Sequence, residues 1–205
     1  MKHIPLFLSI DVSGKTDGDI IKFFWEKFNL LIDGFRKNPF ALELLHIEIT
    51  FFNRNLIRVI PLTPICDLSP NNLKDYFKGV KSTPRLLGKA TLELAEIIGK
   101  YEQDCITKNL WQRPIVIFFT AGMPNDTLDF YNSIIRLRKK AEIFVFCLNE
   151  NVRQFFSSRY HEVHSRRWGE LSDGKDNANG AFEIYDLSTA SESLLIYPFQ
   201  IRYFS

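Results

Sequence analysis

The chain has 205 residues, 45% of them hydrophobic, which is enough for one sizeable core, so the expectation is a single domain over 1–205. Its 26 basic and 24 acidic residues leave a formal net charge of +2, which gives no electrostatic case for a polyanionic partner such as nucleic acid. No apolar run reaches the roughly 18–20 residues of a membrane span; Cys66, Cys105 and Cys147 lack CxxC spacing, which argues against a disulfide framework or zinc knuckle and for a reducing cytoplasm.

In chain order, Pro5 to Val12 is a short apolar run ending in the polar loop SGKTDG, which reads as a buried parallel strand rather than a leader. From Asp19, the residues Ile20, Ile21, Phe24, Phe28, Leu31, Ile32 and Phe35 recur at helical spacing until Asn38-Pro39 stops them. Leu42 to Phe52 alternates, with Leu45, Ile47, Ile49 and Phe51 on one side and His46, Glu48 and Thr50 on the other, predicting a strand near the sheet edge. Leu56 to Pro61 is its hairpin partner, an antiparallel edge strand ended by proline. Ser69-Pro70 predicts a short helix over 71–77, and after the loop Lys81 to Pro84 a longer helix carries Leu87, Ala90, Leu94, Ile97, Ile98 and Tyr101 on one face.

The alternation continues with a strand over Pro114 to Thr120, a helix bearing Leu128, Tyr131, Ile134 and Ile135, a strand over Glu142 to Leu148 and a helix over Asn151 to Tyr160. A polar loop at about 165–180 precedes a last strand, Phe182 to Leu187, and an apolar tail at 194–205 that core packing explains better than partner binding. The fold class is therefore α/β: a Rossmann-like, doubly wound, mainly parallel sheet of about six strands with helices on both faces and one antiparallel edge strand. The 19 phenylalanines read as core filling.

Ligands of such a sheet gather at the carboxyl ends of its strands. Three loops stand there: Asp11-Val12-Ser13-Gly14-Lys15, the loop holding Ser82-Thr83, and Thr120-Ala121-Gly122-Met123-Pro124-Asn125-Asp126. This trio resembles the von Willebrand factor A family, whose metal-ion-dependent adhesion site takes Asp-x-Ser-x-Ser, Thr and Asp from three such loops. Phe7 to Ile21, Asn38 to Glu43, Pro61-Leu62-Thr63 and Ala121-Gly122-x-Pro124 resemble its tellurium-resistance-associated bacterial branch.

The resemblance implies Asp11, Ser13 and Thr83 as metal ligands, in a degenerate set: Lys15 replaces a serine and Ala121 an aspartate. Mg²⁺ needs near-octahedral oxygen ligands, which an ammonium and a methyl group do not supply, so no cofactor is expected, with Mg²⁺ or Mn²⁺ the ions of an intact site. A lone buried carboxylate is costly, and we expect Lys15 to pair with Asp11 and partly fill the cation position.

His161-Glu162-Val163-His164 spaces its histidines by three, not the four of the zinc-peptidase signature. Arg136, Arg138, Lys139 and Lys140 close a helix, where cations favour the negative pole of the dipole. With no GxSxG, Walker loop or GxGxxG, no nucleophile case arises.

The resemblance implies a non-enzymatic cytoplasmic adaptor that binds a protein partner, in a bacterial stress-response or defence setting, with no membrane contact; Lys15, Ala121 and Asp126 on the crest loops are candidate partner-binding residues, as are Arg166 and Arg167 of a basic, aromatic cluster that could meet phosphate or an acidic partner. Two other classes stay open: a metal-dependent ligand-binding module using Asp11, Ser13 and Thr83, and a nucleic-acid-binding protein using Arg159, Arg166 and Arg167.

Overall fold

Ile4–Asp11 (β1) is buried at every position, as a strand covered on both faces must be. The structure, a computed structural model, describes residues 3–13, 18–68, 84–110, 112–148, 150–157 and 182–186. After β1 comes helix α1, Gly18–Arg36, which turns Phe24, Phe28, Leu31, Ile32 and Phe35 into the core.

A second helix, α2 (Pro39–Leu44), was not foreseen. Asn38-Pro39 ends α1 but also starts α2: the Asn38 side chain accepts from the amides of Phe40 (2.9 Å) and Ala41 (3.1 Å), and Pro39 occupies the first helical position. Strand β2 (Leu45–Phe52) therefore begins three residues later than the alternation alone suggests. Strand β3 runs Leu56–Pro64 and does not stop at Pro61. The β2/β3 register shifts between Ile47 and Ile49, opposite Pro61, so the proline falls where the ladder is already interrupted.

Helix α3 (Leu87–Thr107), strand β4 (Ile115–Thr120), helix α4 (Thr127–Arg138), strand β5 (Glu142–Cys147), helix α5 (150–157) and strand β6 (Phe182–Asp186) complete the described chain. The sheet order is β3-β2-β1-β4-β5-β6, with β3 antiparallel to β2 and every other pairing parallel. Alternate residues of the strands feed two cores. Leu6, Leu8, Ile117, Phe119 and Phe146 meet α1 and α2 on one face, while Phe7, Phe118, Ile143 and Val145 meet α3, α4 and α5 on the other.

The largest fully buried side chains are all phenylalanines, so the phenylalanine excess is core material. Cys66, Cys105 and Cys147 are all free thiols. Among the described residues no helix is long and apolar enough to cross a membrane.

Strand order reverses at β1, which pairs with β2 on one side and β4 on the other. The crevice this opens at the carboxyl ends of β1 and β4 is where an open α/β sheet presents its loops. The expected helix over 71–77, the loop at 165–180 and the tail at 194–205 lie outside the described residues.

Candidate functional site at the carboxyl edge of the sheet

Asp11 is the last residue of β1, and its side chain is completely buried. Such a carboxylate is tolerable only if its lone pairs are satisfied. Oδ1 accepts from the Ser13 amide (2.9 Å) and the Ser13 hydroxyl (2.5 Å). Oδ2 accepts from the Ala121 amide (3.0 Å), from the Thr120 hydroxyl (3.1 Å) and from Nε of Arg85, with which it forms an ion pair. Five donors thus converge on a group with about four lone-pair sites.

The second donor element is the turn after β4. Thr120 Oγ1 also lies 2.9 Å from the Gly122 carbonyl, so its single proton is shared between that oxygen and Asp11. Gly122 leaves room here: a Cβ on it would collide with Nη1 of Arg85 and lie 3.0 Å from Cζ, so the guanidinium would have to shift. Arg85 Nη1 donates in turn to the Met123 carbonyl at 3.3 Å.

Arg85 comes from the loop just before α3. Its own amide donates to Asn125 Oδ1 (2.7 Å), and its carbonyl accepts from the Asn125 amide (2.8 Å). Backbone contacts therefore fasten Arg85 to the β4–α4 turn, while its side chain reaches Asp11 on β1. A cation at a helix N-terminus meets the positive end of the macrodipole and needs an anion to settle there. Asp11 supplies that anion.

Asp126 does different work. Its carboxylate accepts from the amides of Gly88 (3.0 Å) and Lys89 (2.8 Å), capping the first turn of α3 from the residue just before α4, because the residue before α3, Leu86, has no side-chain acceptor. Gly88 permits the approach, since a Cβ there would strike the backbone of Phe130 and Asp129. A groove of about 510 Å³ runs beside this junction, between Leu86, Lys89, Leu92 and Asp129.

Of the residues singled out from sequence, the structure brings together Asp11, Ser13 and Ala121, the last through its amide. Asp126 stands at the same edge as a helix cap, with its carboxylate committed to backbone amides rather than presented to a partner. Lys15, Thr83, Arg159, Arg166 and Arg167 lie outside the described residues. Among the described residues the cation on Asp11 is Arg85, because the loop before α3 folds its guanidinium onto the end of β1; the expected Lys15 contact lies outside the described residues. Arg85 was missed because no local pattern in the sequence links it to Asp11, 74 residues away. Among the described residues, no cluster of three or more His, Cys, Asp or Glu side chains is placed to hold a metal ion.

No family model and no curated protein matches the sequence. Solved structures match it across nearly its whole length. A von Willebrand factor type A protein from Catenulispora acidiphila superposes with a TM-score of 0.59 at 13% identity, over 98% of this chain and 42% of that one. The fold is that of a von Willebrand factor A domain. Manganese-loaded TRAP protein from Plasmodium vivax shares the fold with a TM-score of 0.62 at 15% identity, covering 97% of this chain and 73% of that one. The pilus adhesin SpaC from Lactobacillus rhamnosus GG does so with a TM-score of 0.63 at 9% identity, covering 98% of this chain and 30% of its own. This von Willebrand factor A fold thus spans less than half of two of these three structures.

Proposed function

We propose that the chain is a non-enzymatic protein-interaction module of the von Willebrand factor A type, presenting its crest to a protein partner without a divalent ion. The observation that carries this reading is the state of Asp11, whose lone pairs are all committed to internal donors, one of them a guanidinium. Among the described residues, the groups around Asp11 do not fit Mg²⁺ or Mn²⁺. The Ser13 hydroxyl turns its proton toward Asp11, the Thr120 hydroxyl shares its proton between Asp11 and the Gly122 carbonyl, Ala121 contributes an N–H, and Arg85 places a positive charge beside the carboxylate. One fold hosts many activities, and it is the chemistry of this site that distinguishes them.

Met123 and Leu128 flank the crest and are 48% and 74% exposed, an apolar margin suited to contact with another protein. An adhesin and a manganese-loaded protein on the same fold are in keeping with an interaction role and with an ion in the relatives that have the ligands for one. We take the setting to be the bacterial cytoplasm, in a stress-response or defence system.

Two measurements test the reading. Isothermal titration of the native chain with Mg²⁺ and Mn²⁺ should show no binding at micromolar ion, and micromolar affinity would refute it. Affinity capture from the native host should retain a protein partner that Met123→Asp and Leu128→Asp lose; a partner indifferent to both changes would move the interface away from the crest.

A further inference from the structure

We infer that Arg85 is the resident cation of the crest, a tethered guanidinium that draws the three loops together as a bound divalent ion otherwise would. The inference rests on the ion-free reading above and adds the group that replaces the ion. Three observations converge on it. Arg85 Nε meets the fully buried Asp11 carboxylate, and with its side chain only 17% exposed the pair is largely withdrawn from water. Nη1 reaches the Met123 carbonyl of the β4–α4 turn, while the Arg85 backbone exchanges two hydrogen bonds with Asn125 of the same turn. Gly122 leaves open the volume that the guanidinium fills.

One residue thus touches the end of β1 and both sides of the turn after β4 from its own place before α3. Coordination geometry gives way to a planar fork of donors, which can satisfy a carboxylate and a carbonyl together but presents no exchangeable ligand position. The crest is consequently set in one conformation whether or not divalent ions are present, and a partner that docks on it does so with an affinity indifferent to chelators.

Thermal unfolding of the native chain, Arg85→Ala, Asp11→Asn and Asp11→Asn/Arg85→Ala tests the assignment, with EDTA, MgCl₂, and low-millimolar guanidinium chloride against equal sodium chloride. The native Tm should be unmoved by EDTA or Mg²⁺. Arg85→Ala should lower Tm by about 5 °C or more, because it strands a buried carboxylate. Guanidinium ion should restore part of that loss in Arg85→Ala and none in the double variant, which lacks the anion. The double variant should melt above Arg85→Ala.

Strictly additive losses, or an Arg85→Ala chain that melts with the native one, would overturn the role of Arg85 while leaving the ion-free reading intact. A native Tm raised by Mg²⁺ would overturn both. If Arg85→Ala does not fold, the double variant decides: a cooperative melt supports the pairing, and its absence overturns it.

Discussion

Arg85 and Gly122 occupy one volume, the guanidinium of the first filling the space where a side chain on the second would stand. Gly122→Ala should therefore push the Arg85 guanidinium off Asp11 and lower stability through loss of that ion pair. Gly99 gives the contrast. It lies in the middle of α3, and a Cβ there would meet only the end of the Lys140 side chain, Nζ at 3.7 Å and Cε at 4.0 Å, so Gly99→Ala should be neutral or stabilising by up to about 1 kcal/mol. Urea denaturation of both variants separates the two effects, and equal losses would contradict the assignment of Gly122.

Rebuilding a metal site should require removing the arginine as well as adding a carboxylate. Ala121→Asp with Arg85 retained is expected to gain no Mn²⁺ binding, because the new anion meets a cation already in place. Arg85→Ala/Ala121→Asp, which leaves two carboxylates beside the Ser13 and Thr120 hydroxyls, is expected to bind Mn²⁺ in a calorimetric titration. Binding by the single variant would show that Arg85 does not bar the ion.

Asp126 holds the first turn of α3 across a separation of 37–38 residues. Asp126→Ala should cost about 1–2 kcal/mol, as loss of a helix cap does, and Asp126→Asn, which keeps an acceptor, should cost less. Hydrogen exchange at the amides of Gly88 and Lys89 should accelerate in Asp126→Ala ahead of the rest of α3. Unchanged protection there would refute the cap.

Two groups on β2 drive stability in opposite directions with pH. Burial pushes the Glu48 carboxyl above its ordinary value, with the Arg58 guanidinium at 2.6 Å pulling it back. A raised acid is a liability when charged, so its penalty is relieved as pH falls through the folded pKa. His46, whose ring lies 4.1 Å from that of His3, has its pKa lowered by burial and then by His3. Its contribution is fully present above the unfolded value of 6.5 and is lost as pH falls toward the folded pKa. Glu48→Gln should therefore steepen the loss of stability on acidification below pH 6.5, and His46→Asn should flatten it, read as urea midpoints across pH 5–8. Parallel profiles for the native chain and both variants would sink this assignment.

Much of the architecture was legible because hydrophobic periodicity is a local property. Phe24, Phe28, Leu31 and Phe35 mark α1 at helical spacing, and Ile115 to Thr120 is buried throughout, as its unbroken apolar run suggests. Helix α2 stayed hidden because Asn38-Pro39 serves as both a stop and a start, and six residues are too few for a periodicity to declare itself. The reach of β3 past Pro61 depended on a register shift against β2, which only the paired strand reveals.

By itself, the sequence determined the α/β alternation, the three loops at the carboxyl edge, and the presence there of one carboxylate where the von Willebrand factor A pattern has two. Tertiary structure alone decided that Arg85 meets that carboxylate. The two are 74 residues apart, and no local pattern links them. Nearness along the chain says little about charge pairing, because a buried ion pair forms wherever packing brings desolvated groups together. Here that meeting is imposed by the β1–β4 pairing and by the Asn125 backbone lock on Arg85.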